Sequence, residues 1–252
     1  MENVAVIPAR FASTRLPGKP LLSDTGKPLI QHVVEAAKRA RSLQRVIVAT
    51  DDDRIADAVR SFGGEVVMTR ADHPTGTDRV AEVAATIPTA GIIVNVQGDE
   101  PEIDGASIDR LITLLNEDLD APMATLATPI RDEAVYRDPS CVKVVASSRG
   151  RALYFSRSPI PCHRDGSPDF SDPQTPAALL HLGIYAYRRD FLLSVGTLPR
   201  SPLESAEKLE QLRVLEAGLP IALGVVDEPS IGIDTPEDYR RFVDRWRAAH
   251  SA

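Results

Sequence analysis

Residues 4–7, Val-Ala-Val-Ile, form an apolar run rich in β-branched side chains. Such a run predicts a strand buried on both faces, the kind found in parallel sheets covered by helices. Pro8, with no N–H to give a ladder, is expected to end that strand. The loop that follows carries Arg10, Arg15 and Lys19 among Ser13, Thr14 and Gly18. Arg presents a planar fork to phosphate oxygens, Lys a point charge, and small residues let backbone amides approach. At the carboxyl end of a first buried strand, where open α/β sheets bind ligands, this loop suits a polyanion such as a triphosphate. On charge alone it reads as a solvated basic loop, and its position at the strand end is what favours a ligand.

The pattern then repeats. Gly26-Lys27-Pro28 precedes Leu29, Ile30, Val33, Val34 and Ala37, which share one helical face. Residues 45–50, Arg-Val-Ile-Val-Ala-Thr, read as a second strand. Asp51, Asp52 and Asp53 follow, an acidic triplet suited to cap a helix with Ile55, Ala56, Val59 and Phe62 inward. Gly63-Gly64 stops that helix, and residues 65–68 make a third strand. A β-α-β-α-β opening with short connections predicts an α/β fold built on a parallel sheet.

Thr77 or Asp78 is expected to cap a helix with Val80, Val83, Ala84 and Ile87 inward. Just before it, Thr75 and Gly76 offer a hydroxyl and backbone amides to a nucleotide, or make an ordinary capped loop. Residues 91–96 are a second fully apolar strand running into Gln97-Gly98-Asp99-Glu100-Pro101. A carboxylate just past a central strand is placed to hold Mg²⁺, which takes one or two carboxylates and fills its octahedron with phosphate oxygens and water. Asp99 is the expected ligand and Glu100 its competitor. Asp104 caps the next helix, and residues 123–129 form another strand.

The character changes after Arg131. Residues 142–146 and 152–155 read as strands around a turn and lead to Arg157. Residues 159–176 hold five prolines and predict a loop with no secondary structure of its own. Residues 180–187 alternate, with His181, Gly183, Tyr185 and Tyr187 on one face. From Pro202 one helix is expected, with Ala206, Leu209, Leu212 and Leu215 inward, Gly218 as its cap, and Glu210 and Gln211 at its polar margin. After a strand at 220–226, Asp234 precedes Thr235-Pro236-Glu237-Asp238, a helix start with Thr235 as N-cap. Asp234 is either an ordinary loop residue beside that cap or the natural second carboxylate for a cation held by Asp99.

A net charge of −7 argues against a non-specific nucleic-acid binder, so the basic loop points to a small anionic ligand. Two cysteines, Cys141 and Cys162, fit a reducing compartment and exclude a disulfide framework or thiolate zinc cluster. No apolar run approaches the ~18 residues of a membrane span, and Glu2 stands where a signal peptide would be positive. A cytoplasmic protein without membrane partners is therefore expected.

Several stretches resemble one family over nearly the whole chain. They are Ile7-Pro8-Ala9-Arg10-Phe11-Ala12-Ser13-Thr14-Arg15-Leu16-Pro17-Gly18-Lys19-Pro20, Gly76-Thr77-Asp78-Arg79, and Val94-Asn95-Val96-Gln97-Gly98-Asp99-Glu100-Pro101. Tyr154-Phe155-Ser156-Arg157, His181-Leu182-Gly183-Ile184-Tyr185, Leu209-Glu210-Gln211-Leu212-Arg213 and Asp234-Thr235-Pro236-Glu237-Asp238 add to them. The family is 3-deoxy-manno-octulosonate (Kdo) cytidylyltransferase, or CMP-Kdo synthetase. The resemblance implies a Rossmann-like, mixed, mostly parallel sheet flanked by helices, from about 1–130 and 220–252, with a smaller sugar-binding and dimerising lobe over about 131–219. It implies Mg²⁺-dependent transfer of CMP from CTP to Kdo for lipopolysaccharide synthesis, in a homodimer. Arg10, Arg15 and Lys19 would hold the triphosphate, and Ala9, Thr75, Gly76 and Arg79 would line the cytidine pocket. Asp99 and Asp234 would bind the metal; Gln97, Arg157, His181, Tyr185, Glu210 and Gln211 would surround the sugar. Cys162, where the family often has an aromatic residue, is a departure. An amino variant of Kdo, sialic acid, or a silent nucleotide-binding regulator are the alternatives.

Overall fold

The computed structural model describes residues 1–12, 16–164, 166, 168–170, 176–227 and 230–250. Two compact units emerge, one of Met1–Asp109 with Ser230–Ala252 and one of Arg110–Pro229.

The first unit alternates β1 (Glu2–Ala9), α1 (Leu29–Ala37), β2 (Arg45–Thr50), α2 (Asp53–Ser61), β3 (Glu65–Met68), α3 (Gly76–Ala85) and β4 (Ala90–Asn95). Its strands run parallel in the order β3-β2-β1-β4. Val4, Ala5, Val6 and Ile7 are fully buried, as a strand covered on both faces requires. Val4, Val6 and Ile7 each contribute roughly 1.5–3 kcal/mol by leaving water. The strand does not end at Pro8, because β1 keeps its register with β2 through Pro8↔Ala49 and Ala9↔Thr50. The reason lies on the other edge: pairing with β4 stops at Val6↔Asn95, and the Pro8 carbonyl faces Gly98 beyond it. The missing N–H therefore falls where no ladder partner remains. The last helix, Pro236–His250, packs Tyr239, Phe242 and Val243 with Leu29 and Ile233 in one core cluster.

The chain enters the second unit within α4 (Gly105–Glu117). There follow β5 (Met123–Pro129), α5 (Glu133–Arg137), β6 (Lys143–Ala146), β7 (Ala152–Ser156), β8 (Leu179–Arg188), α6 (Arg189–Val195), α7 (Pro202–Glu207), α8 (Leu212–Glu216) and β9 (Ile221–Val225). β5 pairs with β9 in parallel and with β8 antiparallel, and β6 lies antiparallel to both β7 and β8. A bulge sets Thr125 opposite Tyr185 but Leu126 opposite Leu182. Two extra residues keep the side-chain parity, so His181, Tyr185 and Tyr187 share a face as their alternation predicts.

The expected α/β class is what the chain adopts. The single helix expected from Pro202 is instead two short ones, α7 and α8. Lys208, with φ 55°, turns left-handed and ends α7, although the apolar stripe continues past it. α5, α6 and a 3-10 turn at Lys19–Leu21 are short elements without a clear periodic signal.

Candidate active site

In the first unit the end of β1 delivers Ala9, buried, and Arg10, exposed. Arg10 Nη2 donates to the carbonyls of His73 (2.7 Å) and Thr75 (3.3 Å), so it ties its own loop to the segment before α3. Thr75, rather than Thr77 or Asp78, caps α3: its hydroxyl accepts from the Asp78 N–H while Asp78 accepts from the Thr75 N–H. This capping box makes Gly76 the first helical residue. The Gly76 Cα faces the Pro8 ring, since a Cβ there would lie 3.6 Å from it. Arg79, one turn on, is fully buried. Its Nη1 donates to Thr69 Oγ1 (2.6 Å) and lies 2.9 Å from Asp51 Oδ1, an ion pair whose angle is poor for a hydrogen bond. Nε and Nη2 of Arg79 have no partner among the described residues. Buried donors left open are costly. Arg15 lies outside the described residues.

Lys19 is presented by Gly18, whose φ of +68° starts the 3-10 turn; a side chain at Gly18 would also meet the Phe11 ring at 3.2 Å. Its Nζ donates to Asp99 Oδ2 and to the Ile233 carbonyl, both at 2.7 Å, and lies 3.6 Å from Asp234 Oδ1. The two carboxylates are thus brought to one cation. The backbone holds them there, because Ile233 N–H donates to the Asp99 carbonyl (2.9 Å). Asp238 accepts from the N–H groups of Asp234 and Thr235, closing the cap of the last helix. On the other side Gly98 is packed so closely that a Cβ would lie 2.7 Å from the Pro8 carbonyl oxygen. Burial, aided by neighbouring Asp99, pushes the Glu100 carboxyl up to about 7. Gln97 lies half-buried just past β4.

The groups facing Lys19 Nζ present only oxygens: two carboxylates and a carbonyl. That set fits a hard cation such as Mg²⁺. No cluster of three or more His, Cys, Asp or Glu able to hold a metal occurs among the described residues. Mg²⁺ sites of this kind take the rest of their oxygens from substrate phosphate and water.

The second unit gathers another set. His181 Nε2 lies 2.9 Å from Thr125 Oγ1, and that hydroxyl faces the carbonyls of Ile184 (2.8 Å) and Leu182 (3.1 Å). The single hydroxyl proton is used on the carbonyls, so the imidazole donates from Nε2 and keeps Nδ1 as an acceptor. Burial pushes the imidazole down to about 3, consistent with a neutral ring. Its neighbours are Phe155, edge-on at 4.8 Å, and Tyr185 at 5.5 Å between ring centroids. The Tyr185 hydroxyl is raised well above its usual range by burial first, then by Tyr187 and the Glu210 carboxylate. Gln211 is buried at the start of α8, and its Nε2 has no partner among the described residues. Arg157 follows β7: Nε donates to the Glu207 carbonyl (2.7 Å) and Nη1 to the Pro139 carbonyl (3.0 Å).

The residues around these groups were harder to find from sequence. Asp51 and Thr69 hold Arg79 across the ends of β2 and β3, and Glu207 holds Arg157 from α7. None stands at a helical or strand-like spacing from its partner.

A family model described as Cytidylyltransferase matches residues 4–222. A 3-deoxy-manno-octulosonate cytidylyltransferase of Syntrophotalea carbinolica is 56% identical over 243 residues, 96% of this chain and 97% of that one. A protein of the same name from Geobacter sulfurreducens is 52% identical over 251 residues, covering 98% and 100%. Among solved structures, a CMP:2-keto-3-deoxy-manno-octonic acid synthetase complexed with CTP matches with a TM-score of 0.91 and 45% identity over the full length of both chains. A cytidylyltransferase from Leptospira borgpetersenii, 19% identical with a TM-score of 0.61 over 96% of this chain and 85% of that one, shares the fold. On the strength of that likeness from end to end, the chain belongs to the 3-deoxy-manno-octulosonate cytidylyltransferase family.

Proposed function

We propose that the chain transfers CMP from CTP to the anomeric hydroxyl of Kdo, giving CMP-Kdo and pyrophosphate for lipopolysaccharide synthesis. The observation that carries the reading is the Lys19 ammonium between Asp99 and Asp234, two carboxylates held together by the backbone. A regulator that only bound a nucleotide would have no need of that pair.

The sugar hydroxyl attacks the α-phosphorus in line with departing pyrophosphate, and no side-chain nucleophile is required. Arg10, Arg15 and Lys19 neutralise charge on the triphosphate and on the leaving group. Ala9, Thr75, Gly76 and Arg79 receive the cytidine. Asp99 and Asp234 hold Mg²⁺, which supplies further charge neutralisation at the phosphate oxygens. In the second unit Arg157 pairs with the sugar carboxylate through its remaining amino group. His181 Nδ1 accepts from a sugar hydroxyl, and Gln211 belongs to the same surroundings. Tyr185, Glu210 and Gln97 complete the sugar's surroundings. A homodimer formed through the lobe over about 131–219 and a place in the cytoplasm belong to the same reading.

Asp99→Ala tests it. Turnover is expected to fall by roughly a thousandfold or more while CTP still binds, the loss expected when a main source of transition-state charge stabilisation is removed. Turnover within about tenfold of the parent would sink the carboxylate-pair assignment.

A further inference from the structure

Lys143 stands in an apolar strand, Val142-Lys143-Val144-Val145, and has no exposed surface at all. A fully buried lysine is rare unless its charge is compensated. Here no carboxylate lies in ion-pair contact with it among the described residues. Its Nζ instead meets three backbone carbonyls, those of Asp138 (2.8 Å), Cys141 (2.5 Å) and Arg157 (2.7 Å). Three acceptors match the three N–H donors of an ammonium, so the group is saturated.

Those carbonyls are not scattered. Two bracket Pro139-Ser140, the Pro139 carbonyl accepting from Arg157 Nη1, and the third is that of Arg157 itself. From the other side Glu207 accepts from the Arg157 N–H (2.9 Å), and its carbonyl accepts from Nε. The Arg157 main chain and two of its three guanidinium nitrogens are therefore fixed, and Nη2 has no partner among the described residues. We propose that Lys143 is a positioning residue for sugar binding: it locks the 138–141 turn to the Arg157 backbone and so presents Nη2 to the substrate's carboxylate. Lys143 itself never touches the sugar. The proposal rests on the reading of Arg157 as the carboxylate's partner.

Lys143→Met keeps most of the stem and removes all three donors. Its KM for Kdo is expected to rise roughly tenfold or more, with kcat and the KM for CTP within about twofold of the parent. Arg157→Ala is measured beside it, and the double variant is expected to lose little beyond Arg157→Ala alone. A Kdo KM unmoved by Arg157→Ala removes Arg157 from the sugar site. A Kdo KM raised by Arg157→Ala but unmoved by Lys143→Met overturns the role of Lys143 alone. Equal rises in both KM values in Lys143→Met also overturn it, as a general loss of structure would cause them. The second arm, decisive as well if Lys143→Met does not fold, is Lys143→Ala prepared and assayed with alkylammonium ions. Propylammonium brings three N–H donors and should restore the Kdo KM; tetramethylammonium brings the charge without donors and should not. Equal effects of the two ions, or no effect of either, contradict the proposal.

Discussion

Lys19→Met should make the metal-free, nucleotide-free protein bind Mn²⁺ more tightly. The ammonium lies 2.7 Å from Asp99 and 3.6 Å from Asp234, where a divalent cation would have to go. Binding a metal there requires that both contacts be given up, along with the bond to the Ile233 carbonyl. A hydrogen bond between charged groups contributes about 1.5–3 kcal/mol. Asp99 is about one-third exposed and Asp234 about one-half, so solvent screening reduces this to roughly 1–2 kcal/mol. Releasing that competition tightens metal binding by roughly five- to thirtyfold. Methionine keeps the length of the stem, so the loop packing is disturbed little. The assay is Mn²⁺ titration followed by the electron paramagnetic resonance signal of free ion, without CTP. Unchanged or weaker Mn²⁺ binding in Lys19→Met would refute the argument that the ammonium holds the metal's place. Turnover should fall in the same variant, since the lysine's charge on the triphosphate is lost, and that opposite movement separates the two roles.

Gly98→Ala forces a Cβ to 2.7 Å from the Pro8 carbonyl oxygen, and urea unfolding should show a loss of about 1–3 kcal/mol. Lys208→Gly relieves a left-handed turn at φ 55° and should raise stability by roughly 1 kcal/mol in the same assay. Glu204→Gln breaks the paired contacts with Arg213 at 2.8 and 2.5 Å, both side chains being largely buried, and should cost roughly 2 kcal/mol at neutral pH. The Arg213 guanidinium holds the Glu204 carboxyl below its usual range, so this stability is present above the unfolded pKa and is lost as pH falls through the lowered folded one. Unfolding curves of parent and variant should therefore converge in acid, and a constant gap would contradict the assignment.

The strands buried on both faces, β1, β2 and β4, could be read from sequence because nothing but burial explains such unbroken apolar runs. Helix starts were as clear where a side chain caps its own helix, as at Asp52 and Thr235. The α3 cap was misplaced by two or three residues, since Thr75, Thr77 and Asp78 all suit the position and only the fold selects Thr75. The break at Lys208 left no trace, because an apolar stripe reads the same through a left-handed turn unless glycine marks it. Among the site residues, Asp99 and Asp234 were expected as a pair and Lys19 on the triphosphate, and the structure brings all three together. Their convergence depends on the Ile233–Asp99 backbone bond, between segments more than a hundred residues apart, which no local pattern reports. Lys143 broke the apolar pattern of its strand, a sign that either burial with compensation or an exposed edge was in store.

Pyrophosphate release from CTP in the presence of Mg²⁺, with Kdo, an amino variant of Kdo and sialic acid compared and EDTA as control, tests the central claim most directly. Fast release with Kdo is expected, abolished by EDTA and unmatched by the other sugars. Release only with another sugar would overturn the substrate, and CTP binding without release from any of them would contradict the assignment of a transferase.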